Sequence, residues 1–220
     1  MPKQTKLARI ETEADISRGV RALKRRCQIV QRMHAVTGNP PVRVQEPGFK
    51  GLARIIVGQQ LSVASAAAIW GRCEQKIQPF TSEKLARCRD TTLKAAGVSA
   101  PKIRTLKAAA AADRAGQLLL KAPDASDEDV RESLVAVSGI GPWTADIYLM
   151  FALGRPDAFA PGDLALQIGA QFAFDLDDRP KPEALEALAD HWRPWRSVAA
   201  RMLWAYYAAV KSQKTSAVPV

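Results

Sequence analysis

Asp163 stands in the run Ala160-Pro161-Gly162-Asp163, directly ahead of an apolar stretch from Leu164 to Phe174. Proline and glycine are turn residues and aspartate is a favoured helix N-cap, so the local sequence predicts a capped helix start. The same placement suits chemistry. A helix N-terminus carries partial positive charge and favours the ionised carboxylate, even in a partly dry pocket. Such a fixed negative charge stabilises positive charge developing on a substrate, and it can orient or deprotonate an attacking water. Asp146 and Asp157 are the other acids nearby that could take this role.

A second constellation is Val137-Ser138-Gly139-Ile140-Gly141-Pro142-Trp143, a sharp break between two apolar stretches. One reading is an ordinary helical hairpin, in which the glycines supply the turn's positive φ. The other is an anion site. A glycine turn feeding a helix N-terminus aims backbone N–H groups at a phosphate, and the helix dipole adds to the attraction. Pro142 has no N–H, so the donors are Gly139, Ile140, Gly141 and Trp143, with the Ile140 side chain packed inward between the helices. Trp143 shares a face with Ile147 and Met150 or Phe151 at helical spacing, which predicts either a core stripe or a stacking surface headed by the indole.

The elements that must position these residues read almost entirely as helix. Ile16 to Val36 has apolar residues at helical spacing (Val20, Leu23, Cys27, Val30, Met33) and is closed by Gly38-Asn39-Pro40, which predicts one long helix. The alternating segment Pro40 to Gly48 contains three prolines and is an extended connection. Helices are predicted over Phe49–Gly58 and Ser62–Cys73, split by a Gln59-Gln60-Leu61 tip. Short ones start at Thr81 or Ser82 and run from Asp90 to Ala96. Ser99 and Pro101 open another that runs through about Ala112. Ser126 with acids behind it begins a helix to Val137, and further helices span Pro142 to about Leu153, Asp163–Phe174, Pro182–Trp192 and Trp195 to about Lys211. With no clear strand, the fold class is all-α.

The chain has 220 residues, 47% of them hydrophobic, enough for one large or two small cores. No apolar run reaches membrane-spanning length, and the N-terminus lacks the apolar core of a secretory signal. Lys and Arg number 32 against 22 Asp and Glu, a net charge of +10 that suits a polyanionic partner as well as a generally basic soluble protein. Cys27, Cys73 and Cys88 are too scattered for a metal, iron–sulfur or disulfide framework, and buried free thiols are expected.

Five segments together carry a resemblance: LVAVSGIGPWTA followed by DAFAPGDLALQIG, preceded by GLARIIVGQQLSVASAAAIW and GVSAPKIRTL and followed by HWRPWRSVAARMLWAYY, which keep the family's order over about Gly48 to Tyr207. The chain resembles the helix-hairpin-helix DNA glycosylase superfamily, most closely the DNA-3-methyladenine glycosylase II branch for alkylated purines, in a compact form without that branch's extra N-terminal domain. The resemblance implies a two-lobed helical fold. One lobe covers 51–155 and ends in the hairpin; the other is built from 1–50 and 156–220, and the cleft between them presents the active site.

It further implies that Asp163 is catalytic, stabilising the oxocarbenium-like sugar as the N-glycosidic bond breaks. Trp143 and Trp204 would line the base pocket, with Ile147 where a relative has tyrosine; Trp204 also reads as a core residue. Trp143 occupies the position at which bifunctional relatives carry a nucleophilic lysine, so the expected enzyme uses water and leaves an abasic site without cutting the strand. A cationic base such as 3-methyladenine is a good leaving group and stacks well on indole, worth about 1–2 kcal/mol.

DNA contacts fall on Gly139, Ile140 and Gly141. A minor-groove wedge falls in Gln59-Gln60-Leu61, with Gln60 aligning best, and Ser99 and Lys102 add phosphate contacts. No cofactor and no protein-held metal is expected, beyond a monovalent cation at hairpin carbonyls such as that of Val137. The expected protein is a monomer acting on double-stranded DNA with alkylated bases, away from membranes, cytoplasmic in a bacterium and nuclear in a eukaryote. The rival readings are a non-catalytic DNA-binding hairpin protein and a glycosylase for other damaged or mismatched bases.

Overall fold

The computed structural model describes residues 9–122 and 124–216. Every regular element among them is helical. In chain order they are α1 (Glu13–Lys24), α2 (Gln28–Thr37), α3 (Phe49–Gly58), α4 (Val63–Lys76), α5 (Ser82–Arg87), α6 (Asp90–Ala95), α7 (Ala100–Arg114), α8 (Asp127–Val135), α9 (Pro142–Phe151), α10 (Leu164–Phe174), α11 (Pro182–Ala189), a 3-10 turn (Asp190–Trp192) and α12 (Arg196–Ser216). None is long and apolar enough to cross a membrane. Residues 40–48 run extended without pairing as a strand.

The single helix expected over Ile16–Val36 is two. Leu23 O accepts from both Arg26 N (3.1 Å) and Cys27 N (3.0 Å), which closes α1, and Cys27 turns extended to start α2. The apolar spacing conceals the break because Leu23, Val30 and Met33 are fully buried on both sides of it. The helix expected over Pro182–Trp192 ends at Ala189 and tightens into the 3-10 turn. Of the three thiols, Cys73 is buried as expected, whereas Cys27 and Cys88 are half-exposed, since they flank helix ends rather than line a helix's inner face.

The chain divides into two compact units, one made of residues through Val44 and from Gly154 onward, the other of Gln45–Leu153. In the first, α12 packs against α10, α2 and α1. Close approach of α10 to α12 depends on Gly169: a Cβ there would lie 2.8 Å from the Leu203 carbonyl oxygen. Trp192 is buried against Phe159 (6.4 Å between ring centroids) and Phe174 (5.7 Å). This aromatic cluster anchors the segment that leads to Asp163.

In the second unit, α3 packs on α4, α7 and α9, while α5 and α6 pack on α7 and α8 pairs with α9. Its core centres on Leu52, Ile56, Leu106, Leu134 and Leu149, none more than marginally exposed. Tyr148 is buried with its hydroxyl satisfied twice: it donates to Leu120 O (2.7 Å) and accepts from Gly48 N (2.8 Å). Burial pushes that phenol well above its ordinary pKa of 10. Tyr148 is therefore a structural tie between α9 and two loops.

Candidate functional site

The loop that delivers Asp163 is held along its length by its own unit. Ser197 N donates to Pro156 O (2.9 Å), and Arg196 donates to the Asp157 carbonyl through Nη2 (2.8 Å) and Nε (3.1 Å). The Asp157 carboxylate pairs with Arg193 (2.5 Å) and Arg196 (3.2 Å). Farther along, Asp163 N donates to Ala160 O (3.0 Å) and Gln167 Nε2 donates to Pro161 O (2.9 Å). Asp157, one of the three candidate acids, thus clamps the start of α12 to the loop.

Asp163 is half-buried and caps α10, its Oδ1 accepting from Leu166 N at 2.9 Å. The same Oδ1 accepts from Trp204 Nε1 at 3.0 Å. Trp204 is half-buried on α12 rather than a core residue, and its indole N–H is spent on orienting the acid. Gly169 makes this possible, because it lets α10 lie close against α12. Two donors on one oxygen fix the orientation of the carboxylate. One oxygen thus serves both the helix cap and the indole bond. Sequence alone gave no signal of the indole–carboxylate bond, since partners 41 residues apart share no local pattern.

The hairpin belongs to the other unit. Gly139 adopts φ +85°, and a Cβ on it would sit 2.0 Å from Thr105 Oγ1 of α7. Ile140 is buried, 4% exposed, as its inward packing requires. Its amide, however, donates to Val137 O at 3.0 Å, so it is not among the phosphate donors. The turn closes on itself there, and of the four expected donors Ile140 is engaged within the hairpin. Gly139 and Gly141 keep amides that no described residue accepts. Gly141 also has open space where a Cβ would be, with an ordinary φ of −100°. A side chain there would meet no described residue. Val137 O has one lone pair committed to Ile140, and a carbonyl has two.

Asp146, the remaining candidate acid, is 4% exposed and accepts from Arg131 Nη2 (2.8 Å) and Nε (3.1 Å). Arg131 also reaches Glu128 (2.9 Å), so this pairing ties α8 to α9 and stabilises the hairpin. Trp143 is half-buried in the first turn of α9, whereas Ile147 is buried at 7% exposure. At that exposure Ile147 serves the core of its unit.

At the α3–α4 junction the three candidates separate. Gln59 Nε2 donates to Thr144 Oγ1 of α9 (2.8 Å), which makes it a brace. Gln60 is exposed with φ +54°, a left-handed backbone unusual for a residue with a side chain, costing about 1–2 kcal/mol. Leu61 follows at 40% exposure. Lys102 donates to Val57 O (2.8 Å) and Gln59 O (2.6 Å), capping the end of α3. Two of its three protons are committed, and burial lowers its pKa. Its first duty is to hold this loop. Ser99 occupies the N-cap position of α7, exposed and without a side-chain cap bond. Thr105, Thr144 and Arg131 are the supporting residues that sequence reasoning missed; only the acid-rich start of α8 hinted at a basic neighbour.

Comparison with known proteins places this arrangement. Residues 53–194 match the HhH-GPD superfamily of base excision DNA repair proteins. The chain is 31% identical over 171 residues to DNA-3-methyladenine glycosylase 1 of Schizosaccharomyces pombe, covering 76% of this chain and 75% of that one. It is 41% identical over 86 residues to YfjP of Bacillus subtilis, but that match spans only 39% of this chain and 30% of YfjP. The structure of the Schizosaccharomyces pombe 3-methyladenine DNA glycosylase in complex with abasic DNA superimposes with a TM-score of 0.79 at 28% identity, over 85% of this chain and 95% of that one. The chain therefore belongs to the HhH-GPD superfamily of base excision DNA repair proteins.

Proposed function

We propose that the protein is a monofunctional DNA glycosylase that hydrolyses the N-glycosidic bond of alkylated purines in double-stranded DNA and leaves an abasic site. The observation that carries this reading is Asp163, whose Oδ1 is pinned by the Leu166 amide and the Trp204 indole. Family membership supplies the class of reaction, and relatives named for 3-methyladenine support the class of base.

As the base departs, the deoxyribose gains positive charge at C1′, and the Asp163 carboxylate stabilises it electrostatically. The same group directs or deprotonates the water that attacks C1′. An alkylated purine departs as a neutral base, so no enzymatic acid is required. Trp143 offers an indole face for the cationic base. With tryptophan rather than lysine at this position, no amine is supplied to attack the sugar. Gly139 and Gly141 amides bind phosphate, and Gln60 with Leu61 fills the gap left by the extruded base.

The test is base release from a methylated duplex with product analysis. Free 3-methyladenine is expected, with strand breaks appearing only after alkali or heat. Enzyme-made nicks that borohydride traps as a covalent adduct would contradict the water-using mechanism. Salt-sensitive binding without base release would favour a non-catalytic hairpin protein.

A further inference from the structure

The hairpin poses an electrostatic problem. Between Ser126 and Phe151 it carries five acids and one arginine, and that arginine is engaged by Asp146 and Glu128. Neutral amides at Gly139 and Gly141 can orient a phosphate, but they displace no counterions. The salt-dependent share of DNA affinity needs cations placed elsewhere.

A depression of about 490 Å³ on the same unit collects them. Its lining includes Lys76 from the end of α4, Lys84 and Arg87 from α5, and Arg89 ahead of α6, with Gln78 and Thr92 as neutral hydrogen-bonding neighbours and no acid. All four cationic side chains are exposed, and none makes an ion pair or hydrogen bond with another described residue. Helix C-termini attract cations, which would explain basic residues here. That demand is already met at α5, where Lys107 donates to the carbonyls of Leu85 (2.9 Å), Ala86 (3.1 Å) and Cys88. Of the nearby acids, Asp90 faces Lys107 at 3.9 Å, and Glu83, which interacts electrostatically with Arg114 and Arg87, lies outside the lining. Four like charges held close together repel one another, with Glu83 offsetting part of this at Arg87, so the arrangement gains stability when a polyanion enters.

We propose that this basic depression is a second phosphodiester-binding site, built on α4, α5 and α6, that takes the backbone of duplex DNA. The site reads no base. Arg87 and Arg89 can each grip a phosphate through two N–H groups, and Lys76 and Lys84 contribute point charges. The inference rests on the chain acting on DNA, but not on which base it removes.

Its test uses the full-length protein and an undamaged duplex, so failure of base release cannot confuse the outcome. Lys76, Lys84, Arg87 and Arg89 are replaced together by Ala, and the dissociation constant is followed from low to high salt. The slope of log affinity against log salt is expected to fall by roughly 0.9 for each phosphate lost, about 2–4 in all. A charge-retaining variant, with Lys76→Arg, Lys84→Arg, Arg87→Lys and Arg89→Lys, keeps the parental slope and shows that the effect is not one of folding. If the loss appears only on longer duplexes, the site extends the footprint on one DNA. If instead a stoichiometry of two duplexes falls to one, it takes a second DNA; both support the site. A parental slope in the Ala variant overturns it.

Discussion

The two hairpin glycines should respond oppositely to the same added methyl group. At Gly139 an alanine meets two penalties. Its φ of +85° lies in the left-handed region, costing about 1–2 kcal/mol for a residue with a Cβ. The new Cβ also falls 2.0 Å from Thr105 Oγ1 and 3.0 Å from Thr105 Cβ, an overlap that forces repacking at about 1–3 kcal/mol. Gly139→Ala should therefore destabilise by roughly 2–5 kcal/mol, a large fraction of the 5–15 kcal/mol of a typical domain. Gly141 has φ −100° and nothing within 4 Å of a Cβ, so Gly141→Ala costs no more than about 1 kcal/mol, the difference between glycine and alanine at an N-cap. Urea denaturation of both variants measures this. Repeating Gly139→Ala in a Thr105→Ala background should recover the overlap portion and leave only the backbone portion. DNA binding then completes the contrast: Gly141→Ala, folded and stable, loses affinity because its methyl group occupies the space through which a phosphate approaches. If Gly139→Ala costs under about 1 kcal/mol, or costs the same in both backgrounds, the assignment of Gly139 to packing is wrong. If Gly141→Ala binds DNA as the parent does, the assignment of Gly141 to phosphate is wrong.

Trp204→Phe keeps the aromatic ring and removes the bond to Asp163; a hydrogen bond to a charged group is worth about 1.5–3 kcal/mol, so single-turnover base release should slow by tenfold or more, with DNA affinity changed by less than a factor of about three. Arg131→Met removes the two guanidinium bonds to the buried Asp146 carboxylate and should cost about 3 kcal/mol in urea unfolding, while adding Asp146→Leu should restore most of it. In alkali the protein should lose stability. Burial raises the Tyr148 phenol above 10 and the Cys73 thiol to about 11, so the native state holds protons that the unfolded chain releases. Stability from these groups is complete below about pH 9 and declines as pH rises through the unfolded pKa values, at up to about 1.4 kcal/mol per pH unit and group. Tyr148→Phe should flatten that decline above pH 10.

How much of this was written in the sequence differs from residue to residue. The helix starts at Ser62, Thr81 and Ser126 were legible because capping is local: each side chain accepts from an amide three residues on. Asp163 was legible for the same reason, and its catalytic reading came from a motif. The break between α1 and α2 was not, because a three-residue interruption preserves the apolar spacing that predicts one helix. Long-range partners were invisible as well. Nothing near Lys102 tells that its ammonium caps α3, and nothing near Gln59 points to Thr144. The requirement at Gly139 lies in Thr105, 34 residues away; only the positive φ could be guessed from the turn. Acids illustrate the general point. Asp146, Asp157 and Asp163 look alike in a string, and what separates them is the company each keeps: an arginine across the hairpin, two arginines at the start of α12, and an indole with a helix amide.

Asp163→Asn tests the central claim most directly. Asparagine is an equally good N-cap, so α10 keeps its start and the fold is retained. The negative charge is lost. Binding to methylated duplex should stay within about threefold of the parent, while release of 3-methyladenine falls by several orders of magnitude in a single-turnover assay. Parental release by Asp163→Asn would contradict the account, because the charge pinned by Leu166 and Trp204 would then have no part in breaking the bond.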